Sequence, residues 1–255
     1  MNEHLSVERR GRVSIVQISR PEKRNALQLS MLERLRAILV EEEHLGATSV
    51  VLTGGPAIFS AGMDFSEIGR GASDVLVDDA IAETVRAIRQ VSMPVLAAIE
   101  GPCIGGAFEI AIACDLRVAA NGSYFSVPAT RLGILYRPSA IASLVNTLGR
   151  ETVTRLFVLN ERIGAEQAVV VGIASHLTDT GGALDAAVEL ARGVPESSMD
   201  SVRATKQLID EVSKVNGNFV HWEERRRGIL SSRARAEALS QAIVELGGRD
   251  ANTEQ

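Results

Sequence analysis

The sequence predicts an α/β protein whose alternating core is followed by an all-helical C-terminal region. Three observations carry that reading. Short β-branched runs bounded by Gly or Pro alternate with longer stretches whose apolar residues recur at helical spacing, the pattern of a sheet covered by helices. After "IASHL" (173–177) helical patterns follow and no convincing strand does. A chain of 255 residues, 45% hydrophobic and 23% charged, is long and apolar enough to bury a sizeable core. The expected division is a core over 1–190 and a helical region over 191–255.

The elements follow in order. Alternating apolar residues in "LSVERRGRVSIVQISR" around Gly11 predict a two-strand hairpin, and "RPEKRNAL" after it, with a Pro and an Asn, reads as a loop. From Gln28 to about His44 the residues Leu29, Leu32, Leu35, Ile38 and Leu39 fall on one helical face. "TSVVLTG" (48–54) is a strand, a second helix covers about Val75 to Val91, and Pro94 opens the strand "PVLAAIE". Gly101 to Gly106 form a turn into a helix running through about Cys114; "DLRVAA", a turn at "NGS" and "YFSVP" come next. Two shorter helical patterns cover 139–159, and the last three lie at 183–192, 196–213 and 218–245. Within the last, Phe219, Trp222, Ile229, Leu230, Leu239 and Ile243 stand among many charges, apolar surface for the core or for another subunit.

Composition excludes several classes. The longest uncharged run, His44 to Met63, contains Gly46, Gly54, Gly55 and Pro56, so it is not a membrane-spanning helix of about 20 apolar residues. A net charge of −5 gives no general attraction for nucleic acid. The N-terminal "MNEHLSVERR" has neither a secretory nor a transit pattern, and Cys103 and Cys114 sit in apolar segments at no metal or redox spacing. A cytoplasmic protein with no metal site is expected. His176 and His221 lie near no GxSxG nucleophile pattern, which argues against a serine peptidase; His176 reads as a core or interface residue. Arg225, Arg226 and Arg227 read as a solvated helix face or, alternatively, a phosphate contact.

Two glycine turns carry the chemistry. In "FSAGMDFSEI" (59–68), Gly62 beside small residues lets backbone N–H groups approach a ligand, and Asp64 is placed to cap a helix starting just after it. In "EGPCIGGAFEIAIACDL", Gly105 and Gly106 precede a helix whose first-turn N–H groups have no internal partner and whose dipole favours negative charge. Each turn alone is ordinary structure. Together they supply two donors to a single carbonyl oxygen, an oxyanion hole worth roughly 3 kcal/mol of barrier per donor. Such a site needs a proton carrier, and Glu109, one turn after Gly106 among Phe108, Ile110 and Ile112, is the available carboxylate. Burial should raise its pKa toward neutrality. The alternative is a structural Glu paired with an Arg across the fold.

In that order and spacing, "RPEKRNAL", "FSAGMDFSEI", "GPCIGGAFEIAIACDLRVAA" and "YFSVPATRLGI" resemble the enoyl-CoA hydratase/isomerase family, the crotonase superfamily, over about residues 5–178. The resemblance implies a crotonase-type spiral of β-β-α units, a C-terminal helical region used to form trimers, and a hexamer of two trimers. It also implies an acyl-CoA thioester substrate, with coenzyme A present only as part of the substrate and no separate cofactor. Carried over by position, the oxyanion donors are the N–H groups of Met63 and Gly106. Gly105, the loop before Asn25 and the segment Ala61, Gly62, Asp64 and Phe65 cradle the substrate, with Lys23 and Arg24 placed toward phosphates.

Two departures bear on the reaction. Hydratases of the family carry two glutamates; the first position is Glu109, and the second falls on Ala129. The glycine-rich stretch that helps hold water in hydratases is "ILYRPSAI" here. Ala129, Tyr136 and Arg137 are therefore acyl-pocket candidates, the last two closing the pocket, binding a polar substrate group or filling the space of the missing Glu. Three readings follow: a hydratase using Glu109 as acid/base, a double-bond isomerase using Glu109 alone, and an acyl-CoA-binding protein with little turnover.

Overall fold

The computed structural model describes residues 4–67 and 72–213, with residues 233 and 237. The chain divides into two compact units, Met1–Gly193 and Val194–Gln255.

The hairpin forms as expected: β1 (Leu5–Arg10) pairs antiparallel with β2 (Val13–Ile18) around Gly11, whose φ of 69° suits a residue without a Cβ. α1 (Leu29–His44) buries Met31, Leu32, Leu35, Ile38 and Leu39, and its first free N–H, that of Leu29, is capped by Glu67 Oε2 at 2.8 Å. β3 (Ser49–Thr53), α2 (Ala72–Gln90), β4 (Val95–Ile99), β5 (Pro102–Ile104), α3 (Gly106–Ala113), β6 (Leu116–Ala120) and β7 (Tyr124–Ser126) follow. α4 (Pro138–Phe157) is broken at Gly149 (φ 78°, ψ 157°), which accounts for the two shorter helical patterns seen in the sequence. β8 (Ile163–Gly164), α5 (Ala165–Val170), β9 (His176–Thr178) and α6 (Ala183–Arg192) complete the first unit. In the second, a single 3-10 turn (Glu196–Ser198) leads into α7 (Met199–Val212).

The main sheet has the order β1-β2-β3-β4-β6-β9, parallel from β2 onward. Alternate residues on one face, Val13, Ile15, Val51, Leu96, Ala98, Val118 and Ala120, pack against Ala183, Ala187, Val188 and Ala191 of α6. β3 and β4 are buried at every position, which is why they read as continuous apolar runs instead of alternating ones. A second ladder runs beside the first. Leu27 bridges Met63, Ser60 bridges Cys103, and β5 pairs with β7, all parallel; β8 adds to β7 antiparallel. β2, β3, β4 and β6 of the main sheet are thus each followed by a short extended piece in the second ladder and then a helix, the β-β-α spiral.

Four elements depart from the sequence reading. β5 replaces part of the expected Gly101–Gly106 turn, β8 and α5 occupy a stretch with no assignment, and β9 begins within "IASHL", where strands were expected to have ended. His176 lies on β9 with its side chain exposed, so it is no core residue. The helical pattern at 218–245, with Phe219, Trp222, Ile229, Leu230, Leu239, Ile243, His221 and Arg225–Arg227, lies outside the described residues. Cys103 and Cys114 are buried and not joined in a disulfide. No helix among the described residues is long and apolar enough to cross a membrane.

Candidate active site

The second ladder sets the two glycine turns side by side. Ser60 N–H donates to Pro102 O at 3.1 Å and Ile104 N–H to Ser60 O at 3.0 Å, while Leu27 N–H donates to Gly62 O at 2.7 Å and Asp64 N–H to Leu27 O at 2.8 Å. Gly62 (φ 91°) lies so close that a Cβ there would stand 2.7 Å from Ile104 O and 3.6 Å from Gly106 N. The position therefore demands glycine on both conformational and steric grounds.

Backbone donors around the turns are committed: Ala61 N–H to Arg24 O at 3.0 Å, Gly105 N–H to Ser126 O at 2.9 Å, Phe108 and Glu109 N–H both to Gly105 O. Gly62 N–H goes to Ser60 Oγ at 3.1 Å. The N–H groups of Met63 and Gly106 have no acceptor among the described residues. A Cβ on Gly106 would meet Met63 Cγ at 3.3 Å and Ile81 Cδ1 at 2.9 Å, which shows how close the two donor segments are.

Asp64 serves the turn itself. Its Oδ1 accepts the Ser66 N–H at 2.9 Å, and its Oδ2 pairs with Arg20 Nη1 at 2.6 Å. The Ser66 N–H first, then the Arg20 hydrogen bond, pull its pKa down to about 2. Lys23, at the end of a 3-10 turn, Arg24, held at φ 52°, and Phe65 all expose their side chains beside this segment, whereas Ala61 is half-buried.

Glu109 is buried, 5% exposed, in a helix buried along its whole length. Arg137 Nη2 donates to its Oε1. Its Oε2 is buried with no hydrogen-bond partner among the described residues. Burial raises its pKa to about 7, opposed by the Arg137 charge and reinforced by that of Asp78. Glu109 thus has an Arg partner across the fold and keeps one oxygen unpartnered near neutrality.

Arg137, immediately before Pro138 at the start of α4, also donates from Nη1 to Asp78 Oδ1 at 2.7 Å and to Asp78 O at 3.0 Å. Tyr136 packs edge-on against Phe157, ring centroids 4.9 Å apart, and burial first, then the Glu109 charge, raise its pKa. Ala129 is buried at the start of a 3-10 turn, Thr130–Leu132. Asp78 is absent from the sequence-based candidates. It flanks the buried stripe Val77, Ile81, Thr84 and Ile88 of α2, where a carboxylate looks like the start of a solvated face. Among the described residues no group of three or more His, Cys, Asp or Glu side chains gathers as a metal site would.

A β-β-α spiral here sets two N–H groups without an acceptor among the described residues, those of Met63 and Gly106, in neighbouring turns, with a buried near-neutral carboxyl in the helix that follows. The family follows: residues 8–231 match the enoyl-CoA hydratase/isomerase family, and the chain belongs to it. YngF of Bacillus subtilis (strain 168), an enoyl-CoA hydratase/isomerase by name, is 30% identical over 214 residues, covering 82% of this chain and 79% of that one. Methylmalonyl-CoA decarboxylase of Escherichia coli (strain K12) is 26% identical over 245 residues, 93% and 94% of the two chains. The crystal structure of an enoyl-CoA hydratase from Bacillus anthracis superposes with a TM-score of 0.83 at 27% identity, covering 95% and 96%. The fold and the class of substrate-handling enzyme are shared; the reaction varies among these relatives.

Proposed function

We propose that this protein is an enoyl-CoA hydratase that adds water across the double bond of a 2-enoyl-CoA, with Glu109 as its acid/base. The observation that carries the reading is the unpartnered, buried Oε2 of a carboxyl with a pKa of about 7, one helical turn past the free N–H of Gly106. The thioester oxygen accepts from Met63 and Gly106 N–H, and this polarises the conjugated double bond. Oε2 takes a proton from water as its oxygen bonds to C-3; the resulting enolate, its charge held by the two donors, receives that proton back at C-2. One water is added and Glu109 ends as it began. Lys23 and Arg24 reach the phosphates of coenzyme A, and Gly105 with Ala61 to Phe65 lines its path. No cofactor is needed beyond the coenzyme A of the substrate. Family likeness supports assembly as a trimer or a hexamer, and the two buried free cysteines support action in the reducing cytoplasm.

A second reading, double-bond isomerisation, is favoured by Ala129, which brings no second carboxyl: one carboxyl suffices to move a proton between C-2 and C-4. The test is turnover of 2-enoyl-CoA and 3-enoyl-CoA panels by wild type and Glu109→Gln. A 3-hydroxyacyl-CoA product abolished in Glu109→Gln, with acyl-CoA binding retained, supports hydration. A shifted double bond without added water selects isomerisation. Equal background turnover by both proteins refutes both reactions and leaves a binding protein.

A further inference from the structure

The proposed reaction uses Glu109 and two backbone donors, and it leaves Arg137 and Asp78 without a task. Arg137 is not placed like an ordinary surface cation, although the Asp78 side chain it holds is 36% exposed. The Arg137 side chain is 16% exposed and the Glu109 side chain 5%, and the guanidinium joins three elements: the start of α4, α2 through Asp78, and α3 through Glu109. Its two terminal nitrogens are divided between the two carboxylates, Nη2 to Glu109 Oε1 and Nη1 to Asp78 Oδ1 at 2.7 Å, with Asp78 O at 3.0 Å as a further acceptor.

Resting on the acid/base reading of Glu109, we propose that Arg137 and Asp78 are positioning residues: Asp78 anchors the guanidinium, and the guanidinium holds Oε1 so that Oε2 carries the proton. A glutamate on a helix otherwise rotates about its terminal torsion and presents either oxygen. A planar, permanently charged fork fixed at one end removes that freedom. The anchor matters because Glu109 gives up its charge in each cycle. When it is protonated, the ion pair to Arg137 weakens to a hydrogen bond at the carbonyl-like Oε1, while Asp78 and its main-chain oxygen still hold the guanidinium. The hydroxyl is thereby confined to Oε2, the oxygen without a protein partner.

The two residues also pull the titration of Glu109 in opposite directions. Arg137 favours the carboxylate, and Asp78 opposes it. Among the described residues the other groups facing Glu109 are Arg89 of α2, which favours the carboxylate and is itself tied to Ser143 Oγ of α4 at 2.9 Å, and the neutral phenol of Tyr136.

The test is a pH titration of the protonated carboxyl stretch of the full chain by infrared difference spectroscopy, in wild type, Arg137→Met and Asp78→Asn, with Glu109→Gln identifying the band. Wild type should show a midpoint near 7. Arg137→Met should move it upward by at least about one unit, the effect of removing an adjacent opposite charge, and Asp78→Asn should move it downward. Midpoints equal to wild type in both variants, or shifts of the same sign, overturn the proposal. If Arg137→Met does not fold, Asp78→Asn decides alone: a downward shift supports the proposal, and an unchanged or raised midpoint refutes it. The readout needs no turnover. Opposed shifts in a protein that converts no enoyl-CoA would remove the hydratase reading and keep the positioning pair; an unmoved midpoint in an active protein would do the reverse.

Discussion

Replacing Glu109 with Gln should remove turnover and, above neutral pH, make the protein more stable. The carboxyl titrates near 4.5 in an unfolded chain and at about 7 in the folded one, because burial disfavours its charge. That difference of about 2.5 pH units, at 1.36 kcal/mol each, is about 3 kcal/mol. The sign follows from proton binding: the folded state holds this proton more tightly. The stabilisation is therefore complete below pH 4.5 and is lost as pH rises to about 7. Gln matches the shape of the neutral acid and does not titrate. The variant should thus equal wild type near pH 4.5 and exceed it by about 3 kcal/mol near pH 8. Urea unfolding across that range measures the difference, at one fixed protein concentration because any assembly makes stability concentration-dependent. A difference that stays flat with pH, or wild type proving the more stable at alkaline pH, would mean that Glu109 sits ionised against Arg137, and the acid/base reading would lose its basis.

Further substitutions separate the binding turns from the scaffold. Gly106→Ala puts a Cβ 2.9 Å from Ile81 Cδ1 and 3.3 Å from Met63 Cγ, side-chain ends able to give way, so it should fold with about 1–3 kcal/mol lost. The displaced donor should lower kcat by about a hundredfold, and an unchanged kcat would remove Gly106 from the oxyanion hole. Gly62→Ala meets a fixed backbone oxygen at 2.7 Å with φ at 91°, and soluble expression with thermal melting should show a far larger loss of stability than at Gly106. Asp64→Asn should be less stable than wild type at neutral pH. The difference should close as pH falls from 3.8 to about 2, since a depressed carboxylate stabilises only while ionised; acid unfolding of both proteins tests this, and a gap persisting below that range would contradict it.

How far the sequence reveals the fold depends on the physics of each signal. The hairpin at Gly11, α1 and α2 have enough residues for a period to show, and the interruption at Gly149 appears in the sequence as two separate helical patterns and in the structure as a break in α4. β5, β8 and β9 span two or three residues each. At that length no alternation is visible, and their pairing is set by neighbours distant in sequence, Ser60 for the Cys103 bridge and Tyr124 for the edge at Gly164. Glu109 is legible because a carboxylate in an apolar helix violates the local rule. Asp78 is not, because it obeys one: an acid beside the buried stripe of an amphipathic helix looks like solvated surface until Arg137 arrives from 59 residues away. Arg137 stands out in the sequence as a departure from the family pattern, but only the fold shows that it pairs with Glu109.

Ala129 in place of a second glutamate leaves a charge-balance question, and the answer lies in the ratio of charges at Glu109. A lone arginine on a buried carboxylate would hold it ionised, with a low pKa and little basicity, a structural ion pair and nothing more. Burial without a partner would hold it protonated, an acid that cannot act as a base. Here the guanidinium is shared with Asp78, so its pull on Glu109 is diluted, and burial carries the carboxyl up to about 7. Under the proposed function the site therefore contains two carboxylates, the second coming from α2 and acting through an arginine. The sharing also ties the poise of Glu109 to the docking of α2 and α4 on α3, so a substitution that loosens α2 should shift the pH profile of any turnover before it lowers the maximal rate.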